Sequence, residues 1–213
     1  MKIGIFGTGG VGQALGSRLQ SLGHFVMLGA REATNEKAAA WVAKHGGGAG
    51  TFADAAAHGE LLINATMGSA SLDVLTQAGD RFLAGKVLID VTNPLDFSKG
   101  APPSLSIVNT DSLGERIQRA FPELRVVKTL NTVNAAVMAD PARIAGGDHS
   151  LFLSGNDPEA KLIVRGLLGE LGWKDLIDLG DITTARGPEM YLALWVRLWG
   201  GLHTADFNIK VVR

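Results

Sequence analysis

Met1-Lys2-Ile3-Gly4-Ile5-Phe6-Gly7-Thr8-Gly9-Gly10-Val11-Gly12 opens the chain and decides its fold. A short apolar run, Ile3 to Phe6, meets Gly7-x-Gly9-x-x-Gly12, and a helical stretch follows from Val11 to about Leu22. Strand, glycine turn and helix in that order are the fingerprint of a turn that holds a dinucleotide. Gly7 permits the tight turn out of the strand. Gly9 has no Cβ, so a pyrophosphate can approach the backbone. Gly12 lets the helix lie close to the strand. The first N–H groups of that helix have no internal partner and face the anion. Thr8, Gly10 and Val11 complete the set of expected contacts in this turn.

Composition narrows the rest. The chain has 213 residues, 46% of them hydrophobic, which predicts one main domain with a sizeable core. A net charge of −1 without charge blocks argues against a nucleic-acid or membrane-surface partner. No cysteine is present, which removes disulfides, thiolate nucleophiles and Cys-ligated zinc, and fits a cytoplasmic protein. No cluster has metal-ligand spacing. The apolar run after Lys2 dissolves into glycine at Gly7, so it reads as a buried strand rather than a signal peptide.

Past the first helix, Phe25 to Leu28 reads as the second strand, and the residues after it discriminate between cofactors. A carboxylate there accepts from the ribose 2′-hydroxyl of NAD. This chain has Gly29-Ala30-Arg31, and an arginine pairs instead with the 2′-phosphate of NADP. Thr8 and Lys37 are further candidates for that phosphate, whereas Glu32 would take the acidic role if the strand ran one residue longer.

Strands at Leu61–Thr66, Lys86–Val91 and Arg125–Leu130 alternate with helices, which predicts a parallel sheet with right-handed crossovers. Ligands of such sheets sit outside the carboxyl ends of the strands. The loops there, Thr66 to Ser71, Thr92 to Leu95 and Asn131 to Asn134, are rich in Thr, Asn, Ser and Gly. Neutral hydrogen bonds of this kind suit a nicotinamide ribose and carboxamide. A loop from Asp96 to Leu105 is long enough for a lid, and Ser112-x-x-Glu115 predicts a capped helix to Ala120. Met190 to Leu202 reads as a helix apolar nearly all round, wanting a subunit interface, a pocket wall or a core. The alternating tail Phe207 to Arg213 suggests an edge strand.

A general base is hard to find. The single tyrosine, Tyr191, has Trp195 four residues on, so no Tyr-x-x-x-Lys pair exists. The five histidines, His24, His45, His58, His149 and His203, all fall outside the cleft loops and read as surface or helix-end residues. Lys128 lies inside a strand and is a weak candidate. A missing acid–base pair fits hydride exchange between two cofactors, each with its own electronics, where the protein stacks rings and excludes water.

Gly4 to Gly12, Leu22-Gly23-His24, Gly29-Ala30-Arg31 and Val126 to Thr132 together resemble the coenzyme F420-dependent NADP oxidoreductase family. The same fold forms the reductase domain of STEAP-type metalloreductases. The resemblance implies a Rossmann-type doubly wound parallel sheet, α/β in class, over residues 1–180, with a small C-terminal helical extension over 181–213 completing a substrate pocket or dimer interface. It implies 2′-phosphate contacts at Thr8, Ala30 and Arg31, with Lys37 nearby. Nicotinamide-side contacts fall on Thr66, Met67, Asn93, Pro94 and Asn131. The expected function is transfer of hydride between NADPH and a flavin or deazaflavin (coenzyme F420) acceptor, by a cytoplasmic homodimer, with Trp195 and Trp199 shaping the acceptor pocket. The alternatives are an NADPH-dependent reductase of a small carbonyl or imine, and a non-catalytic NADPH-binding sensor.

Overall fold

Strand-forming runs that are apolar on both faces must be covered on both faces. The computed structural model, which describes residues 1–213, shows how this chain meets that demand. In chain order the elements are β1 (Lys2–Phe6), α1 (Gly10–Ser21), β2 (Phe25–Ala30), α2 (Glu36–His45), β3 (Gly48–Thr51), α3 (Phe52–His58) and β4 (Leu61–Asn64). There follow α4 (Ser71–Ala78), α5 (Asp80–Leu83), β5 (Val87–Asp90), β6 (Leu95–Asp96), β7 (Ser104–Leu105), α6 (Leu113–Ala120) and β8 (Arg125–Lys128). The chain ends with α7 (Ala135–Ala139), β9 (Ser150–Ser154), α8 (Pro158–Leu171), β10 (Asp175–Gly180), α9 (Arg186–Met190) and α10 (Leu192–Leu202).

Eight strands form one sheet in the order β10-β9-β8-β5-β4-β1-β2-β3. The six strands from β8 to β3 are parallel, and β9 and β10 are parallel to each other. That last pair joins the rest in the opposite sense, where Lys128 meets Ser154. Side-chain alternation splits the core. Ile3, Ile5, Leu28, Ile63, Ile89 and Val127 pack on one face with α1, α7 and α8. Phe6, Leu62, Leu88 and Val126 pack on the other with α3, α4 and α6. The order of strands reverses between β4 and β1, which opens a crevice beside the glycine turn.

Several local expectations change. β2 runs on to Ala30, because Gly29 and Ala30 pair with Gly50 and Thr51 of β3. The stretch expected as a free lid is a hairpin arm, its base closed by β6 and β7 pairing antiparallel at Leu95–Leu105 and Asp96–Ser104. The tail adds no strand. It docks at the start of β9, where the Ser150 N–H donates to the Ile209 carbonyl at 2.9 Å. The C-terminal helical segment starts at Arg186 and divides at Tyr191. Within the chain α10 buries only Leu192 and Val196, and leaves Leu194, Trp199 and Leu202 exposed. His24 and His149 are buried rather than superficial. His24 sits 2.9 Å from Glu170, and His149 receives a hydrogen bond at Nδ1 from the Asn208 amide while its Nε2 lies 3.0 Å from the Pro141 carbonyl.

Candidate active site

The glycine turn separates two kinds of glycine. Gly7 has φ 113°, in the left-handed region, and a Cβ there would lie 2.6 Å from the Ala65 carbonyl. A Cβ on Gly12 would overlap the Gly7 carbonyl. These two are fixed by the protein's own backbone. Gly9 and Gly10 have nothing within 4 Å of where a Cβ would stand. Internal packing therefore does not explain their size, whereas a pyrophosphate lying on the backbone does. Gly9 caps α1 without any side-chain hydrogen bond, so the first-turn N–H groups remain available to an anion. The residues present fit a dinucleotide.

At the end of β2, Arg31 is the first residue past the strand and is exposed, as are Glu32 and Lys37. The Gly7 N–H donates to the Gly29 carbonyl at 2.9 Å, which ties this end to the glycine turn. Lys37 stands in the first turn of α2, which Asn35 caps by accepting from the Ala38 N–H.

A cavity of about 270 Å³ opens between the carboxyl ends of β4, β5 and β8. Its walls are Val11, the loop Ala65 to Ser69, and the loop Val91 to Asn93. Leu95 and Phe97 of the hairpin arm, Asn131 and Val133 to Ala135, Met138 of α7, and Leu192 and Trp195 of α10 complete it. The lining contains no Asp, Glu, Lys, Arg, His or Tyr. Two amides at the cavity hold each other. Asn131 Nδ2 donates to Asn93 Oδ1 at 2.9 Å, and Asn93 Nδ2 donates to the Asn131 carbonyl at 2.8 Å. The Thr66 hydroxyl gives its proton to Asn64 Oδ1 at 2.7 Å, so toward a ligand it offers only lone pairs.

Below these loops lies a buried ionic junction. Lys128 Nζ is 2.8 Å from Asp90 Oδ2, 2.9 Å from Glu189 Oε1, and donates to the Thr92 carbonyl. All three side chains are at most 1% exposed. Burial alone would push the Lys128 amine down, but the carboxylates of Asp90 and Glu189 outweigh it and hold its pKa above the ordinary lysine value. With its three protons committed, Lys128 is a fixed cation and no proton donor. Glu189 also accepts from the Leu113 and Gly114 N–H groups at 2.7 and 3.0 Å, which puts its charge at the positive end of α6.

The structure brings Val11, Thr66, Met67, Asn93 and Asn131 to one cavity. Gly7, Thr8, Gly9, Gly10 and Gly12 lie in the adjoining turn, and Ala30 and Arg31 at the end of β2. Pro94 does not line the cavity; its carbonyl accepts from the Ser106 N–H and so braces the hairpin arm. Trp199 points to solvent, and Phe97 joins Trp195 at the cavity instead. Tyr191, its phenol pushed up by burial, lines a separate hollow with Phe152 and Ile209. The sequence reading missed Asp90 and Glu189. Asp90 had a signal: a lone charge in a buried strand, in register with Lys128 of its neighbour.

Fold and site define a Rossmann-type dinucleotide-binding oxidoreductase. Residues 2–94 match the family described as NADP oxidoreductase, coenzyme F420-dependent. A crystal structure from Arthrobacter sp. FB24, described as that of a candidate F420-dependent NADP-reductase, is 55% identical with a TM-score of 0.96, covering 100% of both chains. The F420-dependent NADP reductase of Methanocaldococcus jannaschii is 29% identical over 93% of this chain and 92% of its own. The metalloreductase STEAP3 of Rattus norvegicus is 29% identical over 88% of this chain, which spans only 36% of that relative. The chain belongs to the coenzyme F420-dependent NADP oxidoreductase family and is an NADP-dependent oxidoreductase. No helix is long and apolar enough to cross a membrane.

Proposed function

We propose that this protein transfers hydride between NADPH and a flavin or deazaflavin of the coenzyme F420 kind. The observation that carries the reading is the cavity wall: polar, apolar and aromatic groups are present, but no titratable side chain. Reduction of a carbonyl or imine needs a proton delivered in the transition state. Bound NADPH supplies the hydride from its nicotinamide ring. The chain's own residues supply position. Gly9 and Gly10 leave room for the pyrophosphate over the α1 terminus, and Arg31 takes the 2′-phosphate with Thr8, Ala30 and Lys37 around it. Thr66, Met67, Asn93 and Asn131 seat the nicotinamide, and Phe97 and Trp195 flank the second ring. The name of the Methanocaldococcus relative supports the choice of acceptor.

The exposed apolar side of α10, with Leu194, Trp199 and Leu202, supports a homodimer through that helix. A cytoplasmic place of work goes with this reading. The test follows NADPH absorbance after mixing the protein with a deazaflavin, FMN or FAD. Oxidation with one of them names the acceptor. Tight NADPH binding with no oxidation by any would overturn the proposal in favour of a small organic substrate or of the sensor.

A further inference from the structure

Asn93 and Asn131 come from loops 38 residues apart, and each is pinned by a neighbour of the buried ion pair. Lys128 Nζ donates to the carbonyl of Thr92, the residue before Asn93. Glu189 follows Pro188, whose carbonyl accepts from Asn131 Nδ2 at 3.1 Å. The 2.9 Å Lys128–Glu189 pair thus draws together the backbone beside both amides. Glu189 is itself anchored on the α6 N–H groups, and Lys128 on Asp90.

The junction also fixes which way the amides face. Asn131 uses both amide hydrogens, on Asn93 Oδ1 and on the Pro188 carbonyl, so flipping it would set its oxygen against two others. Asn93 spends one hydrogen on the Asn131 carbonyl, and flipping it would set its oxygen against that carbonyl and its NH2 against the Asn131 NH2. What remains unused on this cavity-lining pair is one acceptor, Asn131 Oδ1, and one N–H of Asn93. A primary carboxamide needs one acceptor and one donor in that arrangement.

We infer that Glu189 and Lys128 are positioning residues, which hold the Asn93–Asn131 pair so that the nicotinamide carboxamide is taken in one orientation and one face of the ring is presented for transfer. The C-terminal extension is in this way part of the stereochemical control of the reaction, although neither Glu189 nor Lys128 lines the cavity. The inference rests on the NADPH reading above.

The test uses the full chain carrying Glu189→Gln together with Lys128→Met. That double change removes both charges, replaces each side chain by one of similar size, and leaves Asp90 on its Asn64 and Thr92 partners. Two readouts separate positioning from mere support. In the ligand-free protein, the side-chain amide NMR signals of Asn93 and Asn131 should lose their protection from solvent exchange. In NADPH deuterated on one or the other face of the nicotinamide, transfer to the deazaflavin should lose its preference for a single face, with the rate down about 10- to 100-fold. NADPH affinity, set at the far end of the groove, should stay within about threefold. Should the double variant prove unstable, Glu189→Gln alone gives the same two readouts. Unchanged amide protection with full single-face transfer would overturn the inference. Failure of the unaltered protein to bind NADPH would instead overturn the reading on which it rests.

Discussion

The two ends of the cofactor groove are built in opposite ways. The end proposed for the pyrophosphate is six consecutive residues, Gly7 to Gly12, four of them glycines. The end proposed for the nicotinamide joins Asn64, Asp90, Asn93, Lys128, Asn131 and Glu189, brought together from β4, β5, β8, their following loops and α9. At the first end, backbone N–H groups and the α1 dipole would meet an anion, and this needs only local geometry. At the second, neutral amides must be aimed, and aiming them takes a supporting network. On the proposed reading the first end sets affinity and the second sets geometry.

The most damaging single change lies in the second region. Lys128→Met leaves Asp90 and Glu189 facing each other in a site that excludes water. Breaking a buried pair from one side costs about 3–5 kcal/mol. For a chain of this size that lowers the melting temperature by roughly 6–20 °C, measured by calorimetry or circular dichroism. Adding Glu189→Gln should return a large part of the loss, since only one buried carboxylate then remains. If Lys128→Met melts with the unaltered protein, the junction is not ionic as described.

The glycine turn should divide under mutation. Gly12→Ala forces a methyl into the Gly7 carbonyl and should destabilise the fold by about 1–3 kcal/mol. Gly9→Ala meets nothing within 4 Å, and its φ of −79° suits any residue, so thermal stability should hold. NADPH affinity should nevertheless fall about 10- to 100-fold, read by dihydronicotinamide fluorescence, because the methyl would stand in the place proposed for the pyrophosphate. Equal effects of the two changes on stability would erase the distinction between them.

Arg31→Glu bears on the first region alone. Loss of a charge-assisted hydrogen bond to phosphate, with repulsion added, should weaken NADPH by about 1.5–3 kcal/mol while NADH changes little. The gap between the two cofactors would narrow or close in parallel titrations. Unchanged selectivity would move the 2′-phosphate site to other residues.

These contrasts also mark what the sequence could reveal. A strand, a glycine spacing and a helix are contiguous, so the fold and its glycine turn were readable from twelve residues. Asn93 and Asn131 were placed at the cleft because both follow buried strands. The extension of β2 to Ala30 escaped notice because it depends on pairing with β3, a strand of only Gly48–Thr51. Glu189 was invisible because its partners lie 61 and 76 residues away, on β8 and at the α6 terminus. Phe97 was hidden in a stretch that read as loop, until β6 and β7 closed its base.

The smallest expected effect comes from the same end of α6, and it sharpens the contrast between buried and exposed charge. Asp111 lies just before the Ser112 cap and receives hydrogen bonds from Arg119 and Arg116 at 3.0 and 2.9 Å. The bonds from Arg119 first, and then those from Arg116, hold its carboxyl down at about 2, against an ordinary 3.8. A depressed carboxyl contributes stability that is complete above its unfolded value and lost as pH falls through its folded one. The window is therefore from about 3.8 down to about 2. Its partners are solvated, so the contribution is that of a surface ion pair. Asp111→Asn should lower the melting temperature by only ~1–3 °C at neutral pH and flatten the acid limb of the stability curve in that window. Hydride transfer should be unaffected, because the α6 terminus keeps the Glu189 carboxylate on its N–H groups. A loss of transfer in Asp111→Asn would mean that Asp111, and not the buried Glu189, sets the position of α6.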